Sequence, residues 1–114
     1  MVDAATLAET IERRVASGVM TTWLESSLGR RIALVSNGLR AMVLLLQHDD
    51  GDPGEHAIDP AAGVGSSGGF VLDNGQVDEY DDRETVPMGE ALRIVVSLVS
   101  DGVPPSDASW EVDR

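Results

Sequence analysis

Residues 31–47 read RIALVSNGLRAMVLLLQ, and this stretch decides the fold. Its first part alternates between apolar and other residues, with Ile32 and Leu34 on one face, which is typical of a half-buried strand. Its last part, residues 40–47, is almost continuously apolar and indicates a strand covered on both faces at the centre of a sheet. The intervening Asn37-Gly38 predicts a two-residue hairpin turn, because both central residues of such a turn need a positive φ.

Two helices are predicted on either side of this hairpin. Leu7, Ile11 and Val15 recur every four residues and indicate an amphipathic helix that ends near Gly18. A second helix is predicted from Pro87 to about Ser100, before Gly102. Its predicted core face consists of Ala91, Leu92, Val95, Val96 and Val99. Further strands are predicted at residues 19–25, 56–58, 69–72, 76–80 and 109–112.

The order of these elements predicts a single α+β domain over residues 1–114. It has a mostly antiparallel sheet of four to six strands and two packed helices. The residues that we expect to be buried and packed against one another are Leu34, Val43, Leu45, Leu92, Val95 and Trp110.

Charge is unevenly distributed along the chain, which carries twenty acidic and eight basic residues. Residues 1–40 hold five arginines and four acids, whereas residues 41–114 hold sixteen acids and three bases. Such a surface repels nucleic acid and anionic membranes and steers basic macromolecules toward one face. The chain therefore predicts a basic protein partner, with no nucleic acid and no membrane. The acidic surface of a halophile is the competing explanation.

Other sequence features predict a cytoplasmic protein. The chain has no cysteine, which excludes disulfides and fits a reducing compartment. The longest apolar run, Ala41 to Leu46, is too short to cross a bilayer, and residues 1–13 show no signal-peptide pattern.

Three motifs suggest chemistry, but their contexts do not support it. Residues 63–68 match the dinucleotide pattern G-x-G-x-x-G, and the same stretch reads as G-x-S-x-G around Ser67. Both patterns need a following helix, and here a strand is predicted. Residues 48–56 are rich in possible cation ligands, yet no frame fits the EF-hand spacing. We therefore predict no enzyme, no cofactor, and no metal or nucleotide binding tighter than millimolar at residues 48–59 or 63–68.

The two acidic clusters are the predicted partner-binding residues, because rigid sheets usually display recognition residues on their loops and hairpins. These residues are Asp49, Asp50, Asp52, Glu55, Asp73, Asp78, Glu79, Tyr80, Asp81 and Asp82. We expect the terminal strand, with Asp107, Glu111 and Asp113, to lie away from this interface.

The C-terminal half also resembles a known family. The features that carry the resemblance are Gly-Gly-Phe-Val-Leu-Asp-Asn-Gly at 68–75, Tyr80, Thr85-Val86-Pro87, Glu90-Ala91-Leu92, Asp101-Gly102 with Pro104, and Trp110-Glu111. In this order they resemble the small immunity proteins of bacterial polymorphic-toxin systems, in the group often paired with deaminase-type toxins. The resemblance implies a stoichiometric inhibitor that binds a cognate basic toxin domain and covers its active site or substrate path. We expect the protein itself to be a monomer or weak dimer.

Two alternatives remain open from the sequence. One is an acidic protein-binding or regulatory module that has no toxin partner. The other is a small hydrolase or metal-dependent enzyme that uses the loop at residues 48–59.

Overall fold

The computed structural model describes residues 4–46, 54–72 and 74–113. The helices are α1 (Ala4–Ala16) and α2 (Met88–Asp101). The strands are β1 (Thr21–Glu25), β2 (Arg31–Ser36), β3 (Arg40–Leu46), β4 (Glu55–Ala57), β5 (Ser66–Val71), β6 (Val77–Asp81), β7 (Val86–Pro87) and β8 (Trp110–Val112). Two short 3-10 turns, η1 (Pro60–Ala62) and η2 (Asp82–Glu84), complete the described elements.

The main sheet is antiparallel and has the order β1-β2-β3-β4-β8, with β7 paired to the start of β3. The α+β fold with a mostly antiparallel sheet and two helices confirms the sequence prediction. The strand β3 lies at the centre, as its apolar composition predicts. Among the described residues, no helix is long and apolar enough to span a membrane.

The turn of the β2–β3 hairpin is displaced by one residue from the predicted Asn37-Gly38. The N–H of Asn37 donates to the carbonyl of Arg40 at 3.1 Å, so Gly38 and Leu39 are the central residues. Gly38 has a φ of 95°, whereas no non-glycine residue in the described part of the chain has a positive φ. The Asn37 Oδ1 instead accepts from the N–H of Leu39 at 2.9 Å and of Arg40 at 2.7 Å. The asparagine therefore stabilises the turn through its side chain, and the prediction that it adopts positive φ is wrong.

The core lies between the main sheet and the two helices. Five of the six predicted core residues are buried there, and Trp110 is partly buried and packs against the cluster. The helix α2 is rotated relative to the prediction, because Ile94 and Leu98 are buried while Val96 and Val99 are only partly buried. It ends at Gly102, whose φ of 80° and N–H bond to the Leu98 carbonyl close the helix as predicted.

A separate two-stranded sheet, β5–β6, lies on the face of the main sheet opposite the helices. The Thr21 hydroxyl donates to the Val71 carbonyl at 2.9 Å, and the Asn37 amide donates to the Gly68 carbonyl at 3.0 Å. Phe70 is fully buried and meets Tyr80 edge to face at 5.1 Å. The sequence predicts this hairpin. The hairpin covers only part of this face of the main sheet, so alternate residues of β3 remain half-buried.

Candidate functional site

The predicted acidic cluster of residues 78–82 is divided between the two faces of β6. Glu79 and Asp81 are exposed, whereas Asp78 and Tyr80 are half-buried, because side chains alternate along a strand. The Tyr80 hydroxyl donates to Asp78 at 3.0 Å. Burial raises the pKa of Tyr80, and the hydrogen bond to the Asp78 carboxylate and its negative charge raise that pKa further. Tyr80 is therefore held within the hairpin.

Asp82 turns inward toward Arg40. Its carboxylate accepts from the Ser67 hydroxyl and lies 3.9 Å from the Arg40 Nε. Arg40 also donates to Asp59 at 2.8 Å, to the Thr85 hydroxyl at 2.8 Å, and to the Asp82 and Thr85 carbonyls at 2.9 Å each. This guanidinium thus fixes the whole segment from β6 to β7 against β3.

Glu55 also makes contacts within the protein. Its carboxylate accepts from Arg30 at 3.2 Å and from the Trp110 indole N–H at 2.8 Å, and its side chain is 14% exposed. The carboxylate joins the β1–β2 loop to the terminal strand. The other predicted acids, Asp49, Asp50, Asp52 and Asp73, lie outside the described residues.

His56 is the centre of a cluster that the sequence analysis missed. Its Nδ1 lies 2.7 Å from the Asp113 carboxylate, and its Nε2 contacts Glu84 and lies 3.6 Å from Glu111. Pairing of β4 with β8 places Glu111 directly opposite His56. His56 itself is only 8% exposed.

Two of these carboxylates, those of Asp113 and Glu84, change the acid–base behaviour of this imidazole. Burial alone would lower the pKa of His56, since it disfavours the charged ring. Hydrogen bonds to Asp113 and Glu84, together with their negative charges, outweigh burial and raise the pKa above its usual 6.5. The cluster therefore attracts positive charge.

A cavity of about 290 Å³ connects this cluster to the hairpin. It is lined by Ile58, Asp81, Arg83, Glu84 and Glu111. The terminal strand therefore borders the acidic hairpin at Glu111, and the expectation that this strand lies away from the partner interface stays a prediction. Among the described lining residues Arg83 is the one base, so the cavity carries a net negative charge.

The exposed carboxylates of β6, η2, β8 and the residue after it form what we call the acidic surface. Its members are Glu79, Asp81, Glu84, Glu111 and Asp113. They come from three stretches of chain that the fold brings to one side of the molecule.

The glycine-rich motif lies beside this surface but leads into a strand, as predicted. Residues 63–65 precede β5, and Gly68 lies within β5, so the motif runs into a strand and not into a helix. The geometry that would hold a pyrophosphate or expose a nucleophilic serine is therefore missing there.

Comparison with known proteins adds no relative. No family model, no curated protein and no solved structure matches this chain.

Proposed function

We propose that this protein is an immunity protein rather than an enzyme. It acts in the bacterial cytoplasm as a stoichiometric inhibitor that binds a cognate basic toxin domain of the nucleic-acid-targeting, deaminase type. It occludes the toxin's active site or substrate path. The observation that carries the proposal is the acidic surface, in which carboxylates from separate elements lie on one side of the molecule.

The charge of this surface supports a basic partner. A toxin that acts on nucleic acid needs a cationic cleft, since phosphate contacts supply much of nucleic-acid affinity. Glu79 and Asp81 are exposed, and Glu84 and Glu111 have side chains 48% and 53% exposed. A rigid array of such carboxylates imitates a phosphate backbone and accelerates encounter with the cleft.

The way in which the surface is held supports recognition rather than general solubility. The hairpin is attached to the main sheet by the Thr21 and Asn37 hydrogen bonds, and Arg40 fixes the segment that follows it. The carboxylates are thus displayed on a backbone that loses little conformational entropy on binding.

An apolar groove at the turn end of the same hairpin supports a protein partner. It has a volume of about 330 Å³, and its lining includes Trp23, Met42, Leu44 and Leu72. Trp23 is 46% exposed, with the Arg31 guanidinium 4.7 Å from its ring centre. Tryptophan and arginine are enriched among the residues that dominate binding energy at interfaces.

The test is to purify the protein with the toxin domain encoded by the neighbouring gene. We expect a 1:1 complex by size-exclusion chromatography with light scattering, and loss of toxin activity at equimolar protein. A toxin domain that neither binds the protein nor loses activity contradicts the proposal. Binding to a basic protein that has no toxic activity would favour the regulatory module instead.

A further inference from the structure

Three side chains from distant parts of the sequence meet at the inner end of the acidic surface. His56 lies on β4, Glu84 ends η2, and Glu111 lies on β8. The His56 Nε2 and one carboxylate oxygen from each glutamate all lie within 4.8 Å of one another. Nitrogen and carboxylate oxygen are ligands that Zn²⁺ and related ions accept.

The other ring nitrogen is already oriented by a carboxylate. Asp113 lies 2.7 Å from the His56 Nδ1, and its backbone N–H donates to the Gly54 carbonyl at 2.9 Å. While Nδ1–H donates to Asp113, an ion held by the two glutamates takes the place of the Nε2 proton, which is released to solvent, and accepts the Nε2 lone pair. A histidine ligand that donates its second nitrogen to a carboxylate is the usual arrangement in metal proteins.

The cluster can rearrange around an ion without rebuilding the fold. Ligand atoms around a tetrahedral ion with bonds of about 2.1 Å lie about 3.4 Å apart. The 3.6 Å between the His56 Nε2 and Glu111 is already close to this value, whereas Glu84, which contacts Nε2 directly, must move outward to admit the ion. Glu84 and Glu111 are half-exposed and can move by side-chain rotation alone. The cavity beside them gives a path for entry and room for a water ligand.

We infer that His56, Glu84 and Glu111 form a site for a divalent transition-metal ion of the Zn²⁺ class, with Asp113 orienting the histidine. One imidazole nitrogen and two carboxylates favour such ions over Ca²⁺ and Mg²⁺, which prefer all-oxygen sites. The bound ion joins β4, η2 and β8, and it neutralises carboxylates that otherwise repel one another. This inference revises the expectation of no metal at residues 48–59, and it does not depend on the proposed function.

The experiment is isothermal titration calorimetry of the chelator-treated full chain with Zn²⁺, with Ca²⁺ and Mg²⁺ as comparisons. We expect one Zn²⁺ per chain, at least 10-fold weaker binding in each of E84Q and E111Q, and weaker binding of the other two ions. Zn²⁺ at 100 times its Kd should raise the Tm by roughly 10 °C.

Two variants serve as controls. E9Q removes a carboxylate from the exposed side of α1, and H48N removes the other histidine of the chain, which lies outside the described residues. Both should bind Zn²⁺ as the parent protein does. In NMR spectra of ¹⁵N-labelled protein, Zn²⁺ at a concentration near the parent's Kd should shift the His56 Nε2 resonance in the parent and shift it much less in E84Q.

Several outcomes would overturn the site. No Zn²⁺ binding by the parent protein would do so, and so would equal affinity in the parent, E84Q and E111Q. Loss of binding in H48N with retention in E84Q and E111Q would place the ion elsewhere. Urea unfolding of E84Q and E111Q without metal checks that these variants are folded, so that weaker binding reports on the lost ligand.

Discussion

Replacing Arg40 by methionine should destabilise the protein strongly, because one guanidinium fixes the segment that carries much of the acidic surface. Arg40 donates to Asp59, to the Thr85 hydroxyl and to the carbonyls of Asp82 and Thr85. Thr85 is fully buried, and the Arg40 and Asp59 side chains are each 20% exposed. Methionine keeps most of the aliphatic stem but leaves these acceptors without their donor.

The expected loss is about 3 kcal/mol in the free energy of unfolding. Removing one partner of a buried ion pair costs about 3–5 kcal/mol, and the partial exposure of Arg40 places this case at the lower end. For a domain of this size the Tm should fall by about 10 °C. In a double-mutant cycle with Asp59→Asn, the coupling energy should be about 1–2 kcal/mol.

The assay is urea unfolding followed by circular dichroism, with Arg93→Met as the matched control. Arg93 also donates to two acids, Glu90 and Asp107, but this network is exposed. Exposed ion pairs contribute little, so the control should leave the Tm nearly unchanged. A loss below about 0.5 kcal/mol for Arg40→Met, or equal losses for both variants, would refute the reasoning.

Three further predictions test the fold and the hairpin. Val95 is fully buried, so Val95→Ala should cost about 2 kcal/mol in urea unfolding; an unchanged Tm would show that α2 is wrongly placed. Tyr80 is the single tyrosine of the chain, and its raised pKa predicts an absorbance titration at 295 nm with a midpoint above that of free tyrosine and a lower midpoint in Asp78→Asn. The pKa of Tyr80 is higher in the folded than in the unfolded protein. The stability that Tyr80 contributes is therefore complete below the unfolded pKa of about 10, and it is lost as the pH rises through the folded pKa. A titration midpoint at the value of free tyrosine would contradict this. Gly102 has a φ of 80°, and a Cβ on it would lie 2.4 Å from a leucine side chain of the β1–β2 loop. Gly102→Ala should therefore lower the free energy of unfolding by about 2–4 kcal/mol. Gly89 lies within α2 with no atom within 4 Å of such a Cβ, so Gly89→Ala should stabilise the protein by about 0.5–1 kcal/mol; equal effects of the two alanines would contradict the placement of the helix end.

Local sequence patterns predicted both helices and every described strand except β7, but not every detail of their ends. The apolar run of β3 and the preceding alternation place the central hairpin correctly, because burial of one sheet face requires that register. The turn itself moved by one residue, since the Asn37 side chain bonds to the N–H groups of Leu39 and Arg40. For α2 the period was right and the rotation was wrong, because Val96 and Val99, three residues apart, fit one helix face as well as the buried Ile94 and Leu98, four residues apart, fit another.

The candidate site was largely hidden from the sequence because its residues are far apart in the chain. The β4–β8 pairing and the contacts of Arg40 bring together His56, Glu84 and Glu111. No short sequence motif indicates the strand pairing or the Arg40 contacts. The sequence predicts strands at residues 56–58 and 109–112. Pairing these two strands with each other would have placed His56 beside Glu111, and this was the one signal that the sequence offered. The acids of residues 78–82 were predicted as one cluster, but strand alternation divides them.

The most direct test of the proposed function is the association rate of the protein with its proposed partner, a toxin domain encoded by a neighbouring gene, measured by stopped flow at low and high salt. Two double variants are compared. One carries Glu79→Lys and Asp81→Lys on the acidic surface, and the other carries Glu9→Lys and Glu12→Lys on α1. Both change the net charge of the protein by the same amount. All four side chains are exposed, so neither pair should alter the Tm. The account predicts that the first pair slows association about 10-fold or more at low salt, with a smaller effect at high salt, while the second pair has little effect. Equal slowing by both pairs, as a uniformly charged halophilic surface would give, or no slowing by either, would contradict it.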